Sequence, residues 1–461
     1  MERTSTTMQP LADSPSPVIA QLKAWLTGHG VSLDNFHIHY YGRDEGHGVV
    51  AAKAFQTGEH TLDIPFRLTM NVQSARASDL AKILAHETNL ADVEVLALHL
   101  MYEKLKGDAS FWAPFIRSLP ETFDTPIFWS DDDFAALKGT NVALLASMMK
   151  QQIVADYTSI HSPIFQKYKT TFFAARVPTI LEYKWALSVV WSRAFGVTKG
   201  GEYLQVLCPA MDMFNHDVHL NRPLDDFIVF DEQAQTLCHR VHESCVAGTP
   251  LNISYGPYSN AKLLYSYGFV VPGMHCVDCV HVGRHVKDRL MSLSGNLHGG
   301  IDFWVNVPTN DPYFRLKKAL LDSNELTAYQ TYDFDGTLLG HTVSERLLAM
   351  VRVVLMQENE IQARNNAFNQ AMVTRRNEIA VYDNLTIACR RKLQSFTTTL
   401  KDDLELVEAG ELAPRRAFAL RVRIEDKQIL QDTIQTLAKW KDFLLKNEGN
   451  DTVYPPRDCV V

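Results

Sequence analysis

A change in composition near residue 284 constrains the fold more than any other feature of the sequence. Before it, short apolar segments alternate with glycine and proline, a pattern typical of strands joined by turns. After residue 340, glycine occurs only at Gly410 and Gly449, and charged residues mix with leucine, alanine and glutamine. Such a composition favours long helices. The sequence therefore predicts an α+β part followed by a separate all-α domain.

The length of the chain fits this division. With 461 residues it exceeds what one ordinary hydrophobic core supports, so two or three domains are expected. The predicted layout is a disordered lead at 1–17, an α+β domain at 18–282 with a helical insertion at about 79–183, a helical domain at 283–447 and a tail at 448–461.

Apolar periodicity places the individual elements. It predicts helices at 18–26, 92–104 and 182–195, and in the C-terminal part at 315–323, 344–358, about 360–385, 390–406 and 414–445. Alternating or β-branched segments predict strands at 36–41, a pair within 60–72, and further strands at 227–230, 236–241, 251–254 and 277–282.

Charge and cysteine content exclude some classes of function. The net charge of −8 disfavours general nucleic-acid binding, which needs a basic surface. No apolar run reaches the roughly 18 residues that a membrane helix needs. Seven thinly spread cysteines, an odd number, indicate reduced thiols in an intracellular protein. We therefore expect the cytoplasm, with the nucleus also open, and no partner among nucleic acids or membranes.

A glycine-rich loop follows the first predicted strand. Gly42, Gly46 and Gly48 lie within seven residues, so the backbone there can approach a ligand closely. Phosphate is a poor candidate, because no Walker lysine follows and Asp44 and Glu45 would repel it. A ligand with a positive or neutral face fits better, and a plain hairpin turn is the alternative.

Two short segments, 209–216 and 253–269, contain stretches that neither helical nor strand periodicity explains. The first closes an apolar run with Asn215 and His216. In the second, Tyr255 follows an alternating, strand-like stretch and precedes a glycine. Because functional residues concentrate where a strand ends in an irregular polar segment, both segments are candidate site segments. Taken singly, each is equally typical of a hydrogen-bonded polar cluster or a tyrosine in a core.

Other chemistry is conceivable for the cysteines and histidines. A structural zinc site needs four ligands, which two groups could supply: Cys276 and Cys279 with His275 and His281, and Cys238, His239, His242 and Cys245. Neither group has a recognised zinc-binding spacing, so ordinary reduced cysteines are the alternative. A Cys/His hydrolase would pair Cys208 with His216, but the chain carries no oxyanion motif for it.

Several motifs occur together and in a fixed order. They are Gly-x-Gly-Val-Val-Ala at 46–51, Trp-Ser-Arg-Ala-Phe at 191–195, Asp-x-x-Asn-His at 212–216, Tyr-Gly-x-x-Ser-Asn-Ala at 255–261 and Tyr-Gly-Phe at 267–269. This order resembles the SET-domain protein methyltransferases, in the branch of the Rubisco large-subunit lysine methyltransferase and the actin-histidine methyltransferase. Outside the site, segments 110–126 and 425–430 are similar to that branch's insertion and to its C-terminal substrate-binding domain.

The resemblance implies a SET-type β fold with a pseudoknot and a helical insertion, followed by the all-α domain. It implies S-adenosylmethionine as cofactor, S-adenosylhomocysteine as product and no metal. Carried over by position, the cofactor-binding residues are Glu45, Gly46, His47, Arg193, Asp212, Asn215, His216 and Tyr255. Tyr255 is also the catalytic residue, and Phe195, Tyr267 and Phe269 line the substrate channel.

The function implied is N-methylation of a protein side chain. We expect a lysine of a non-histone protein, held between the SET domain and the helical domain, because Phe195 and Tyr267 resemble the lysine-directed members. A histidine ring would need a polar partner for its second nitrogen, and a buried nitrogen without one is costly. Histidine methylation and a non-catalytic SET-fold interaction module are the alternatives.

Overall fold

The computed structural model describes residues 14, 16–42, 45–173, 176–220, 223–256, 258–271, 282–283, 303–304, 307–323, 345–368, 372–410, 412–448 and 455. The chain divides into two compact units. The first comprises Met1–Phe123 and Gln151–Pro257, and the second comprises Asp124–Lys150 and Tyr258–Val461. The last part of the first unit ends at Pro257. The domain boundary predicted from the sequence, between residues 282 and 283, stays a prediction.

The described strands are short and lie mostly in the first unit. In chain order they are β1 (Phe36–Tyr40), β2 (His47–Ala51), β3 (His60–Pro65), β4 (Met70–Asn71), β5 (Ala194–Lys199), β6 (Glu202–Leu207), β7 (Ile228–Asp231), β8 (Thr236–Arg240), β9 (Val282–Gly283) and β10 (Phe303–Trp304).

These strands form small sheets. In the first unit β1 pairs with β2, β8 lies between β3 and β7, and β6 lies between β4 and β5, all antiparallel. Strand β9 pairs with β10 in parallel. The alternation of buried and less buried residues along β1 is the pattern expected of a strand with one face on a core.

The helices of the first half are α1 (Pro17–Gly28), α2 (Val72–Ala77), α3 (Ala81–Leu84), α4 (Asp92–Lys106), α5 (Ala113–Ser118), α6 (Asp131–Ala135), α7 (Asn141–Asp156), α8 (Ser162–Lys167), α9 (Lys169–Phe172), α10 (Ile180–Arg193) and α11 (Asn260–Tyr267). A π-helical turn, Tyr157–His161, joins α7 to α8. Helix α10 starts at a capping box in which Thr179 and Glu182 satisfy each other's backbone amides.

The second unit is built mainly from helices. Besides α6, α11 and the part of α7 up to Lys150, they are α12 (Phe314–Ser323), α13 (Glu345–Leu355), α14 (Arg375–Gln394), α15 (Leu400–Glu408) and α16 (Pro414–Lys446). Proline at the first position of α16 is favourable, because that residue's amide would have no helical partner. Leu385, Leu430, Leu437 and Trp440 belong to the buried apolar cluster of this unit. Among the described residues, no helix is long and apolar enough to cross a membrane.

Some predicted bounds were wrong, and local capping explains the clearest case. Instead of helices at 360–385 and 390–406, a 3-10 segment, Glu358–Phe368, precedes α14 and α15. Thr374 and Thr399 each accept a hydrogen bond from the amide three residues later, which starts a new helix at each position.

Other differences concern the strands. The helix predicted at 182–195 ends at Arg193, and strand β5 begins at Ala194. The strand predicted at 251–254 is reduced to an isolated bridge at Ile253. Of the strand predicted at 277–282, residues 277–281 lie outside the described residues.

Candidate active site

The first predicted segment leaves β6 and makes a tight turn in the first unit. Ala210 has φ of +63°, a left-handed conformation that costs a non-glycine residue about 1–2 kcal/mol. A 3-10 turn, Met211–Met213, follows and places Asp212 in the interior. Strain of this kind persists only where the surrounding structure enforces it, and it clusters at functional sites.

Arg193, the last residue of α10, is held by this turn. Its Nη1 donates to the Asp212 carboxylate at 2.9 Å and to the Asp212 carbonyl at 3.0 Å. Burial raises the pKa of Asp212, and the Arg193 guanidinium acts against that rise. A buried carboxylate of this kind is tolerated because it is paired, so the two side chains fix each other's position.

Tyr255 connects the second segment to the first. Its hydroxyl donates to the carbonyl of Phe214 at 2.9 Å, and its amide donates to Nδ1 of His216 at 3.1 Å. The rings of Tyr255 and His216 stack at 5.1 Å with 19° between their planes. Ile253 forms a parallel bridge with His216, and its amide donates to the carbonyl of Asn215. The two segments therefore form one structural element.

The surroundings tune both side chains of that element. Burial raises the pKa of Tyr255 to about 12, so the phenol is neutral at ordinary pH. Burial also lowers the pKa of His216, and a hydrogen bond to the Ile253 backbone partly offsets this by raising it. Since Nδ1 of His216 accepts the Tyr255 amide, the neutral ring carries its proton on Nε2.

The glycine-rich loop lies against the same turn. Gly48 has no room for a side chain, because a Cβ there would lie 2.7 Å from Cε2 of Tyr41 and 2.8 Å from Nδ2 of Asn215. Burial and the charge of Arg193 lower the pKa of the neighbouring His47. Glu45 is exposed in the same loop. Gly48 thus lets the loop approach Asn215 closely.

Two buried polar atoms at this junction have no hydrogen-bond partner among the described residues. They are the hydroxyl of Tyr41 and Oδ1 of Asp212. Buried polar atoms in native proteins are normally hydrogen-bonded, so orphaned atoms of this kind indicate a place where a ligand or water supplies the partner. Together with the close approach at Gly48, they fit a polar ligand held by this loop and turn.

Of the predicted channel residues, Phe195 belongs to the first unit. It is the second residue of β5, where it pairs with Val206 and is 7% exposed. Next to it, Gly196 accommodates the ring of Tyr203, which a Cβ would strike. Phe195 therefore presents an apolar ring from a rigid strand.

Tyr267 and Phe269 belong to the second unit, at the end of α11. Their rings lie 6.2 Å apart, and Tyr258 stacks on Tyr267 at 6.3 Å. The side chain of Asn260 closes this loop, because it donates to the carbonyl of Val271 at 3.1 Å and accepts from its amide at 2.6 Å. The roles predicted for these residues stay predictions.

Of two alternatives from the sequence, the hydrolase loses its geometric basis, and the four-ligand zinc site is tested only in its second group of residues. Among the residues the structure describes, Cys238, His239, His242 and Cys245 do not form a four-ligand cluster, while Cys276, Cys279, His275 and His281 lie outside the described part. Cys208 is fully buried, and this burial raises the pKa of its thiol well above the ordinary value, the opposite of an activated nucleophile.

The structure also reveals site neighbours that the sequence did not predict. Phe214 accepts the Tyr255 hydroxyl and stacks on His239 at 4.0 Å. Tyr41 and Gly48 complete the loop junction. Gly48 and Phe214 lie within the motifs at 46–51 and 212–216, and the sequence indicated a close backbone approach at Gly48 without naming its partners, whereas nothing local marks His239.

Comparison with known proteins gives consistent results. Residues 308–430 match the family model described as Rubisco LSMT substrate-binding. The chloroplastic [fructose-bisphosphate aldolase]-lysine N-methyltransferase of Arabidopsis thaliana is 26% identical over 425 residues, which cover 89% of this chain and 81% of that protein. The actin-histidine N-methyltransferase of Xenopus tropicalis is 24% identical over 455 residues, covering 94% and 72%.

Solved structures agree on the fold. The SET domain of LSMT bound to lysine and AdoHcy superposes with a TM-score of 0.76 at 23% identity, covering 94% of this chain and 93% of that one. Rubisco LSMT bound to AdoMet gives a TM-score of 0.70 at 21% identity, covering 94% and 97%. The predicted fold class is confirmed: the chain has the fold of the SET domain of LSMT, and it is similar along most of its length to the lysine and actin-histidine N-methyltransferases named above.

Proposed function

We propose that this chain is an S-adenosylmethionine-dependent protein N-methyltransferase that acts on a lysine side chain of a non-histone protein. One observation carries the proposal: Tyr255 is bonded through its hydroxyl to Phe214 and through its amide to His216. This arrangement joins the two segments on which the family resemblance rests. The lysine methyltransferase among the relatives, and the LSMT structure with lysine and AdoHcy, support it.

The residues present fit the cofactor. Arg193 and Asp212 brace the turn, Gly48 lets the loop approach Asn215, and the unpartnered oxygens of Tyr41 and Asp212 offer hydrogen-bonding capacity. His47, Asn215 and His216 would hold the cofactor through ring and backbone groups. When bound, S-adenosylmethionine supplies a methyl group on a positively charged sulfur.

Tyr255 serves in this site as an orienting group. Its raised pKa of about 12 rules out a phenolate base at neutral pH. Its proton is donated to the Phe214 carbonyl, which fixes the direction in which the phenol oxygen points. An oxygen held in this way can accept weak hydrogen bonds from polarised C–H groups, such as the methyl group to be transferred. It thereby fixes the direction in which methyl group and amine approach each other, and such orientation raises the rate by a large factor.

The substrate amine must lose its proton before it reacts. A free lysine has a pKa near 10.4, so only about one in a thousand is neutral at pH 7. An apolar channel lowers that pKa, because burial and a neighbouring positive charge both disfavour the ammonium form. The buried ring of Phe195 provides such a wall, and Tyr267 and Phe269 are proposed as the others.

Lysine is favoured over histidine by the same wall. An imidazole that attacks through one nitrogen needs a polar partner for the other. Phe195 is buried on its strand and has no polar atom to offer. The actin-histidine relatives, which cover this chain equally well, keep histidine methylation as the second candidate.

Heavy-methyl labelling tests the proposal. The purified chain is incubated with a cell lysate and S-adenosylmethionine that carries a deuterated methyl group, and labelled peptides are located by mass spectrometry. We expect the label on a lysine side chain, and only when the purified protein is present. Label on histidine would favour the second candidate, and no enzyme-dependent label would favour a non-catalytic module.

The setting proposed for this activity is the cytoplasm, with a protein substrate engaged by the helical domain. The matched region at 308–430 supports the second point, because the family it belongs to is a substrate-binding one. The described free cysteines, Cys208, Cys238, Cys245 and Cys389, suit a reducing compartment.

A further inference from the structure

A cluster of three different metal-binding side chains lies on the sheet formed by β3 and β8. It consists of His60, Asp63 and Cys238, whose ligand atoms all lie within 4.8 Å of one another. None of its three residues holds Tyr255 or Arg193 in place, and the proposed methyl transfer does not use it. We propose that it binds one zinc ion per chain.

A β-bulge builds the cluster. His60 and Asp63 are three residues apart, and in an uninterrupted strand they would point to opposite faces. The register of β3 against β8 shifts between His60 and Leu62, so the extra residue returns both side chains to one face. Asp63 pairs directly across the sheet with Cys238. The bulged residue, Thr61, turns inward and hydrogen-bonds His239 at 2.7 Å.

The spacing of two of the three ligands already suits a tetrahedral ion. Nδ1 of His60 lies 3.1 Å from Oδ1 of Asp63. Two ligands at zinc–nitrogen and zinc–oxygen lengths of about 2.0–2.1 Å are roughly 3.3 Å apart in a tetrahedral site. Cys238 is 1% exposed, while the side chains of His60 and Asp63 are 37% and 51% exposed. The thiol is therefore fixed, and the other two side chains are free to close on an ion.

The donor set identifies the metal class. A thiolate, an imidazole and a carboxylate together favour zinc over magnesium or calcium, which take oxygen ligands. The exposed side leaves a fourth position for water. On binding, the Cys238 thiol gives its proton to solvent and its sulfur bonds to the metal, with no change in oxidation state.

Cobalt(II) spectroscopy tests the site. Full-length chain without a histidine tag, with Cys276 and Cys279 changed to serine to remove competing thiols, is stripped of metal and titrated with Co²⁺. We expect one equivalent to produce a thiolate-to-cobalt charge-transfer band, which added zinc abolishes. Cys238→Ser should lose the band, whereas the matched control Cys245→Ser, which alters a free cysteine outside the cluster, should keep it.

The remaining ligands provide an independent check. His60→Asn and Asp63→Asn change partly exposed side chains, so both variants should fold, and each should weaken cobalt affinity at least roughly tenfold. Absence of the band in the parent chain, or its persistence in Cys238→Ser, would overturn the proposal. None of these readouts depends on methyl transfer, so the zinc site and the proposed function stand or fall separately.

Discussion

The amide nitrogen of Tyr255 lies 3.1 Å from Nδ1 of His216, and the two rings stack at 5.1 Å. This contact joins residues 39 positions apart in the chain. A second bond, from the Tyr255 hydroxyl to the Phe214 carbonyl, fixes the phenol over the same turn. The proposed function depends on this double attachment.

Tyr255→Phe should separate catalysis from binding. The variant keeps the ring and the hydrogen bond from its backbone amide to His216, but it loses the hydroxyl that orients the reacting groups. We expect turnover to fall by about 100-fold, the cost of a misplacement of roughly 1 Å, while affinity for S-adenosylhomocysteine changes little. Initial rates with labelled cofactor and calorimetry measure the two quantities.

Tyr157→Phe is the matched control for that variant. It also removes one hydroxyl bonded to a backbone carbonyl, that of Pro178 at 2.7 Å, but outside the site. Its turnover should equal that of the unmodified chain. Equal rates for Tyr255→Phe and Tyr157→Phe would remove Tyr255 from the mechanism.

Gly48→Ala should weaken cofactor binding without unfolding the chain. The added methyl would lie 2.7–2.8 Å from Tyr41 and Asn215, so one of them must move. Overpacking of this kind costs about 1–3 kcal/mol, which corresponds to roughly a 5- to 150-fold loss of affinity if it is paid on binding. Gly28→Ala, where nothing lies within 4 Å of the new atom, should bind as the parent does. Unchanged calorimetric affinity of Gly48→Ala would contradict the role of the loop.

Asn260→Asp should destabilise the second unit through charge repulsion. Nδ2 of Asn260 lies 2.5 Å from Oε1 of Glu425, so a carboxylate at position 260 would face a second carboxylate. We expect the free energy of unfolding to fall by about 3 kcal/mol, because a buried polar contact becomes repulsive. Adding Glu425→Gln should restore the part that comes from the facing carboxylates, since a neutral amide can donate to the new carboxylate, while the Val271 carbonyl still lacks its donor. Denaturant unfolding of the single and double variants measures this, and no recovery in the double variant would refute the contact.

His99→Phe should reduce the sensitivity of the fold to acid. Burial, with a smaller contribution from Lys106, lowers the pKa of His99 to about 3. Because the unfolded chain binds this proton more tightly, the stability due to His99 is complete above about pH 6.5 and declines as the pH falls toward 3.

Between those limits, the unfolding free energy of the parent chain should fall with decreasing pH more steeply than that of the variant. The difference between the two slopes should be up to about 1.4 kcal/mol per pH unit. Its stability at neutral pH should hold or rise, since neither ring nitrogen of His99 has a hydrogen-bond partner among the described residues. His86→Phe, a change on the surface, is the control and should keep the full slope. A slope in His99→Phe equal to that of the control would show that His99 does not titrate in this way.

Sequence periodicity predicted elements whose signals are local. Helix α4 was predicted from apolar spacing and α16 from the helical pattern of its segment, and both extend close to the predicted ranges. The hairpin of β5 and β6 was missed because Ala194 and Phe195 continue the apolar pattern of α10. Gly200 and Gly201, with φ of +58° and +81°, form its turn, and this glycine pair was the available signal.

The site was only partly predictable for a different reason. Motif order located Asn215, His216 and Tyr255, but the bond between Tyr255 and Phe214 joins residues 41 positions apart, and no local pattern encodes such pairing. The same holds for His60 and Cys238, which only the bulge in β3 brings together.

Calorimetric titration with S-adenosylhomocysteine tests most directly whether the Asn215–His216 turn and Tyr255 form a cofactor site. We predict saturable binding of one molecule per chain to the unmodified protein, and weaker binding to Gly48→Ala. Absence of saturable binding to the unmodified, folded chain would contradict the proposed site and, with it, the proposed methyltransferase activity.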